Sequence, residues 1–191
     1  MKALEDKILA EGQVYPGNIL KVSSFLNHQL DVDFLMSMGE EISRLYADTK
    51  IDKILTIEAS GIAIAVAAAA HMHVPVVFAK KNKTTNILAD VYSSRVKSYT
   101  HNEVYQVIVS KEHLHKGENI LIIDDFLAMG NALNGLMDIV DQAEGKTQGI
   151  AIAIEKGFQG GGDELRKKGI RVESLAIVDS MTDDSVKFRQ Q

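Results

Sequence analysis

Short apolar runs recur along this chain with helix-like segments between them, and that alternation restricts the fold more than any other feature. Lys53 to Ile57, Val74 to Ala79, Val104 to Val109, Ile120 to Ile123, Gly149 to Ile154 and Val172 to Val178 are rich in Val, Ile and Leu. Several are apolar at nearly every position, as strands buried on both faces must be. Such strands need helices above and below, so the pattern predicts an α/β fold with a largely parallel sheet covered on both faces. An Ala-rich helix from Gly61 to His71, a helix from Asn131 to Ala143 and an Asp163-capped helix to Lys168 are expected between the strands. Nearer the N-terminus, Leu4, Ile8 and Leu9 suggest one face of a short helix ended by Gly12. Phe34, Leu35, Met38, Ile42, Leu45 and Tyr46 repeat at helical spacing behind Asp31 and Asp33, either of which could cap.

Residues 1–191 read as a single domain, with no internal repeat and no boundary. The polar, Lys-rich stretch from Lys80 to Thr100 resists assignment and is expected to be a long excursion or a lid. Cysteine is absent, which excludes disulfides, thiolate metal sites and a Cys nucleophile. With 21 basic against 26 acidic residues the net charge is −5, so a nucleic-acid surface is not expected. The apolar run from Gly61 to Ala70 is too short to span a bilayer, and the start MKALEDKILAEG lacks a signal-peptide apolar region. The expectation is a cytoplasmic protein without a membrane or nucleic-acid partner.

Chemistry concentrates in Ile120-Leu121-Ile122-Ile123-Asp124-Asp125-Phe126-Leu127-Ala128-Met129-Gly130-Asn131-Ala132. Four apolar residues make a central strand, two acids stand at its C-terminal end, and a tight Gly-containing loop opens a helix. In open parallel sheets ligands bind beyond the carboxyl ends of the strands. A helix N-terminus offers free N–H groups and partial positive charge to a phosphate. Paired carboxylates just before it suit the vicinal hydroxyls of a sugar. An ordinary strand–loop–helix connection with an acidic N-cap is the plainer reading of the same residues.

The segment resembles the phosphoribosyl-diphosphate signature of the type I phosphoribosyltransferases. It departs from the usual form at Met129, where Thr is common, and at Asn131-Ala132, so backbone N–H groups from Ala128 to Ala132 would carry more of the 5′-phosphate. Asn18 to Leu30 (NILKVSSFLNHQL), Asp-Asp-Phe-Leu-Ala at 124–128, and Ile154-Glu155-Lys156 with Phe158-Gln159 are similar to the bacterial xanthine phosphoribosyltransferases. The similarity runs from the first helix nearly to the C-terminus.

That resemblance implies transfer of ribose 5-phosphate from phosphoribosyl diphosphate to N9 of xanthine, giving xanthosine monophosphate and diphosphate in purine salvage. Asp124 and Asp125 are the implied catalytic acids, and Ala128, Met129, Gly130, Asn131 and Ala132 the implied phosphoribosyl-diphosphate loop. Ser60 and Gly61, in the turn Glu58-Ala59-Ser60-Gly61, would face the diphosphate. That turn resembles the Glu-Ala-Arg-Gly turn of adenine phosphoribosyltransferases with Ser60 in place of Arg. Lys80, Lys81 and Lys83 could replace the missing charge, Lys81 above all, although a lysine cluster is commonly a solvated face. Leu20, Asn27, Lys156 and Phe158 are implied to bind the base, with residues 1–35 forming a hood. Phe158 would stack on the purine or else pack in the core.

Mg²⁺ is implied, held mainly by substrate oxygens with no dedicated protein site. Residues 80–100, with Ser98-Tyr99, would form a flexible loop over the site, and a homodimer is expected. Guanine or hypoxanthine could be the base instead, since Lys156 would read C6=O in all three. A sensor that keeps the fold without catalysis, or a generic nucleotide-binding module, are readings from other classes. His71-Met72-His73 and His113-Leu114-His115 have metal-chelating spacing but read as helix-end and loop residues. Gly160-Gly161-Gly162 lacks a phosphate-loop frame and reads as a turn.

Overall fold

The elements run α1 (Lys2–Glu11), β1 (Gln13–Tyr15), β2 (Ile19–Lys21), α2 (Val32–Leu45), β3 (Lys53–Ile57), α3 (Gly61–Met72), β4 (Val76–Asn82), β5 (Val91–Lys97) and β6 (Val104–Ser110). They continue with β7 (Asn119–Leu127), α4 (Asn131–Gln142), β8 (Lys146–Lys156), α5 (Gly161–Lys167), β9 (Val172–Met181) and β10 (Val186–Phe188). The computed structural model from which they are taken describes residues 1–82, 90–97, 104–182 and 184–190.

Eight strands form one sheet of order β10-β9-β8-β7-β3-β4-β6-β5, and β1 pairs with β2 in a separate hairpin. The five central strands are parallel neighbours, whereas β10, β6 and β5 attach antiparallel at the two margins. The expected parallel centre is therefore present, while the run beginning at Val104 turns out to be antiparallel.

Strand alternation divides the core between the two faces. Ile54, Leu121, Ile123, Ala151, Ala153 and Leu175 pack with Leu35, Met38 and Ile42 of α2 and the alanines of α3. Leu55, Ile57, Ile120, Ile122, Ile150 and Ile152 face the other way, onto Leu133, Leu136, Ile139 and Val140 of α4 and Leu165 of α5. Small residues let α2 and α3 approach closely: a Cβ on Gly39 would lie 2.4 Å from the Ala67 carbonyl carbon.

Several local expectations change. Leu9 is exposed, so α1 buries Leu4 and Ile8 alone. Asp31 caps α2 by accepting from the Phe34 N–H at 3.1 Å, and Asp33 only sits in the first turn. Gly160, at φ 79°, precedes α5, whose helix therefore starts at Gly161 and not behind an Asp163 cap. Most of the described part of 80–100 is regular: residues 80–82 belong to β4, and β5 pairs with β6 along its length. Polar residues concealed that hairpin because it lies at the sheet margin, where strands need less apolar surface. Lys83, Ser98 and Tyr99 lie outside the described residues.

Gly39→Ala should destabilise the protein by about 1–3 kcal/mol in urea unfolding, because α2 and α3 must separate. Helix propensity alone favours alanine by about 1 kcal/mol, so a more stable variant would contradict the close packing of these helices.

Candidate active site

The sheet divides functionally between β3 and β7. From β3 the chain crosses through α3 to β4 on one side, and from β7 it crosses through α4 to β8 on the other. Such a reversal opens a crevice at the carboxyl ends of the two strands, because their following loops depart in opposite directions. Pairing between β3 and β7 stops at Leu55 and Ile122. β3 continues beside β4 to Ile57 and Ala79, and β7 continues beside β8 to Leu127 and Glu155.

That separation explains the placement of the acids. They were expected at the end of a strand, but β7 runs on to Leu127, so Asp124 and Asp125 lie within it. They still border the crevice because β7 has lost its β3 partner there. Asp124 is 6% exposed, and its Oδ1 accepts from the Asp125 N–H at 2.9 Å. The Asp125 carboxylate accepts from the Phe126 N–H at 3.0 Å. Burial, then the adjacent Asp125 charge, push the Asp124 carboxyl well above the ordinary carboxylate range, while Lys81 pulls it down. Burial and the Asp125 charge thus disfavour the ionised form of Asp124.

Across the crevice, the turn Glu58–Ser60 leads into α3. Its Glu58–Ala59 peptide is cis, and the Glu58 carboxylate accepts from the Lys81 N–H at 2.6 Å. Gly61 is buried at the start of α3. A Cβ there would meet Thr56 Oγ1 at 2.3 Å and Asp124 Oδ1 at 3.0 Å, so only glycine lets this turn and the acids approach so closely. Ser60 precedes α3 without a side-chain capping bond.

On the β7 side, Gly130 adopts φ 82° before α4, which also lacks a side-chain cap. Met129 is half exposed, and Ala128, Asn131 and Ala132 are partly buried. The Asn134 Nδ2 donates to the Gly130 carbonyl at 2.9 Å, and Asn131 Nδ2 donates to the Lys97 carbonyl at 3.1 Å. From behind, the Gly161 N–H donates to the Ala128 carbonyl at 3.2 Å. A Cβ on Gly161 would lie 2.3 Å from that oxygen. The fully buried Glu155 anchors α5 through a bidentate pair with Arg166, at 2.9 and 2.7 Å, and accepts from Ser174.

The neighbouring end of β8 carries Lys156. Its ammonium donates to the Asn18 carbonyl at 2.9 Å and lies 5.8 Å from the Phe126 ring centroid. Burial lowers its pKa. Leu20 is buried in β2 beside that contact, whereas Asn27 is exposed in the following loop. Phe158 is 37% exposed in a single 3₁₀ turn, so the core-packing reading fails.

Lysines of β4 point to opposite faces. Lys81 stands over Tyr105, 5.7 Å from its ring, and influences Asp124. Lys80 joins Phe78 in lining a separate apolar cavity of about 680 Å³, which removes it as a crevice ligand. Motif reading missed Thr56, Tyr105 and Asn18, since a lone Thr in a strand, a Tyr at a sheet margin and a backbone carbonyl carry no pattern.

Among the described residues, no three His, Cys, Asp or Glu side chains gather as a metal cage would require. His71 instead contacts the Met36 carbonyl, and His73 ends α3 in a left-handed conformation.

A parallel-sheet crevice flanked by two uncapped helix N-termini and an acid pair defines a protein of the nucleotide and sugar-phosphate binding class. The phosphoribosyl transferase domain model matches residues 21–182, and the chain belongs to that family. It is 54% identical over 190 residues to xanthine phosphoribosyltransferase 1 of Clostridium perfringens, covering 99% of this chain and all of the relative. The xanthine phosphoribosyltransferase of Clostridioides difficile is 53% identical over the same shares. Among solved structures, adenine phosphoribosyltransferase of Giardia lamblia with 9-deazaadenine superposes with a TM-score of 0.77 at 21% identity, covering 93% of this chain and 98% of that one. No helix among the described residues is long and apolar enough to cross a membrane.

Asp124→Asn should stabilise the fold at neutral pH. A carboxyl whose pKa is higher folded than unfolded loses stability as pH rises above its unfolded value. Urea unfolding should therefore find the variant ahead of the parent by on the order of 1 kcal/mol at pH 8, with a smaller gap at pH 4. A gap that closes as pH rises would contradict the buried, unpaired state of Asp124. Separately, Arg166→Met should cost about 3 kcal/mol by leaving Glu155 buried without its partner, and Glu155→Gln/Arg166→Met should recover much of that loss.

Proposed function

We propose that this protein transfers ribose 5-phosphate from 5-phospho-α-D-ribose 1-diphosphate to N9 of xanthine, releasing diphosphate and forming xanthosine 5′-monophosphate. The observation that supports this reading most is the close approach of Gly61 to Asp124, which brings the turn before α3 and the acid pair of β7 to one crevice. The sequence relatives named xanthine phosphoribosyltransferase support the choice of base.

In this reading the 5′-phosphate lies against the backbone of Ala128–Ala132, at the uncapped N-terminus of α4. Ser60 and Gly61 present the N-terminus of α3 to the diphosphate, with Lys81 as the added positive charge. Ribose hydroxyls bond Asp124 and Asp125. Positive charge develops on the ribose ring as the C1′–diphosphate bond breaks, and carboxylates fixed beside it stabilise that state more than the neutral ring. Mg²⁺ would neutralise the diphosphate, held mainly by substrate oxygens, with the Asp124-Asp125 pair as the neighbouring carboxylates.

Lys156 donates to C6=O of the purine. One donor is already engaged by the Asn18 carbonyl, leaving two for a base. Its burial makes an unmatched ammonium costly, so adenine, with an amino group at C6, is rejected. Leu20 covers the base from the hood formed by residues 1–35, Asn27 reaches its edge after loop movement, and Phe158 stacks over it. The enzyme acts in the cytoplasm as a homodimer.

Pyrophosphate release with phosphoribosyl diphosphate, Mg²⁺ and each of xanthine, guanine, hypoxanthine and adenine tests the proposal. Xanthine should be turned over fastest and adenine not at all; turnover with no base would overturn it. Lys156→Ala should lower kcat/KM for xanthine by about a hundredfold or more and leave the KM for phosphoribosyl diphosphate unchanged. Equal losses for oxopurines and adenine would remove Lys156 from base recognition.

A further inference from the structure

Thr56 is fully buried in β3, and its hydroxyl has no hydrogen-bond partner among the described residues. An orphaned hydroxyl in a close-packed interior is costly, and valine would fill the same volume without that cost. Thr56 Oγ1 borders the position that a Cβ on Gly61 would occupy, which the missing side chain leaves open. The Asp124 Oδ1 borders that same space from β7. A donor without an acceptor among the described residues thus borders a carboxyl that no salt bridge among them engages.

We infer that Thr56 is a positioning residue, whose hydroxyl donates a hydrogen bond to the Asp124 carboxylate across the gap at Gly61 when the ribose is bound. The inference rests on the phosphoribosyl-transfer reading and deepens it. In the free protein, burial beside Asp125 favours the neutral form of Asp124, which needs no further donor. Ribose hydroxyls and the developing ring cation demand its ionised form, which does. The other titratable groups bearing on Asp124 are Asp125 on β7, Lys81 on β4 and Tyr105 on β6. Of these, the Asp125 charge disfavours ionisation, while the Asp125 N–H and Lys81 favour it. Thr56 supplies a further short-range donor, and holds the carboxylate toward the sugar without touching the substrate.

Thr56→Val and Thr56→Ser in the full chain separate this role from a structural one. The valine variant should unfold at the same or higher temperature than the parent, since an orphaned polar group is gone. It should nevertheless lose about tenfold in kcat/KM for phosphoribosyl diphosphate, roughly one hydrogen bond to a charged group. The acidic limb of its pH profile should move to higher pH, because the charged form of Asp124 has lost support. Serine should restore both. A valine variant with parental kcat/KM and an unmoved acidic limb would overturn the inference, as would a serine variant as impaired as valine. Thr56→Ala is read in the same way if valine prevents folding. A parent chain that turns over no base removes the reaction reading and this inference with it, whereas an active parent and an equally active valine variant remove the inference alone.

Discussion

Everything at the crevice depends on the point where β3 and β7 cease to pair. Up to Leu55 and Ile122 the two strands share a ladder, and beyond them each keeps only its outer neighbour. Two side chains in that stretch of β7 bond the backbone locally: Asp124 accepts from the Asp125 N–H, and Asp125 from the Phe126 N–H. The loops then diverge into α3 and α4 on opposite faces, so two helix N-termini converge on one opening. Two helix N-termini at one opening suit a ligand that carries more than one phosphate group.

Electrostatics then assigns different work to the two ends of β8 and β7. Glu155 is buried but fully matched by Arg166 and Ser174, so it serves to hold α5 against the Ala128 carbonyl. Asp124 is equally buried and unmatched, which is a poor arrangement for stability and a useful one for a site awaiting charge. Lys156 is the basic counterpart, its ammonium partly desolvated and held by a single carbonyl from the hood. In the proposed reaction, stability forgone at Asp124 and Lys156 would return as preorganisation toward a cationic sugar and an oxopurine.

Much of this was legible in the residues themselves. The apolar runs from Lys53, Ile120, Gly149 and Val172 are interior strands as expected, and Asp124-Asp125 before a Gly-containing loop pointed to the stretch of β7 that borders the crevice. The antiparallel margin was not legible, because β5 is half exposed and its Ser-Ser-Arg centre resembles a loop. Nor was the helix start at Gly161, since Asp163 offers a better cap by residue type while Gly160 satisfies the left-handed turn that the backbone requires. Side-chain direction decided the lysines: Lys80 and Lys81 are adjacent in sequence, yet strand alternation sends one to an apolar cavity and the other toward Asp124. Thr56 became visible only when its hydroxyl was found buried without a partner.

The most direct measurement is a crystal structure of the protein with a non-reactive phosphoribosyl diphosphate analogue and xanthine. The account predicts the 5′-phosphate against the backbone of Ala128–Ala132, the ribose hydroxyls on Asp124 and Asp125, and the xanthine C6 oxygen at Lys156 Nζ. A sugar phosphate bound elsewhere, such as the cavity beside Phe78 and Lys80, or a base that leaves Lys156 on the Asn18 carbonyl alone, would contradict it.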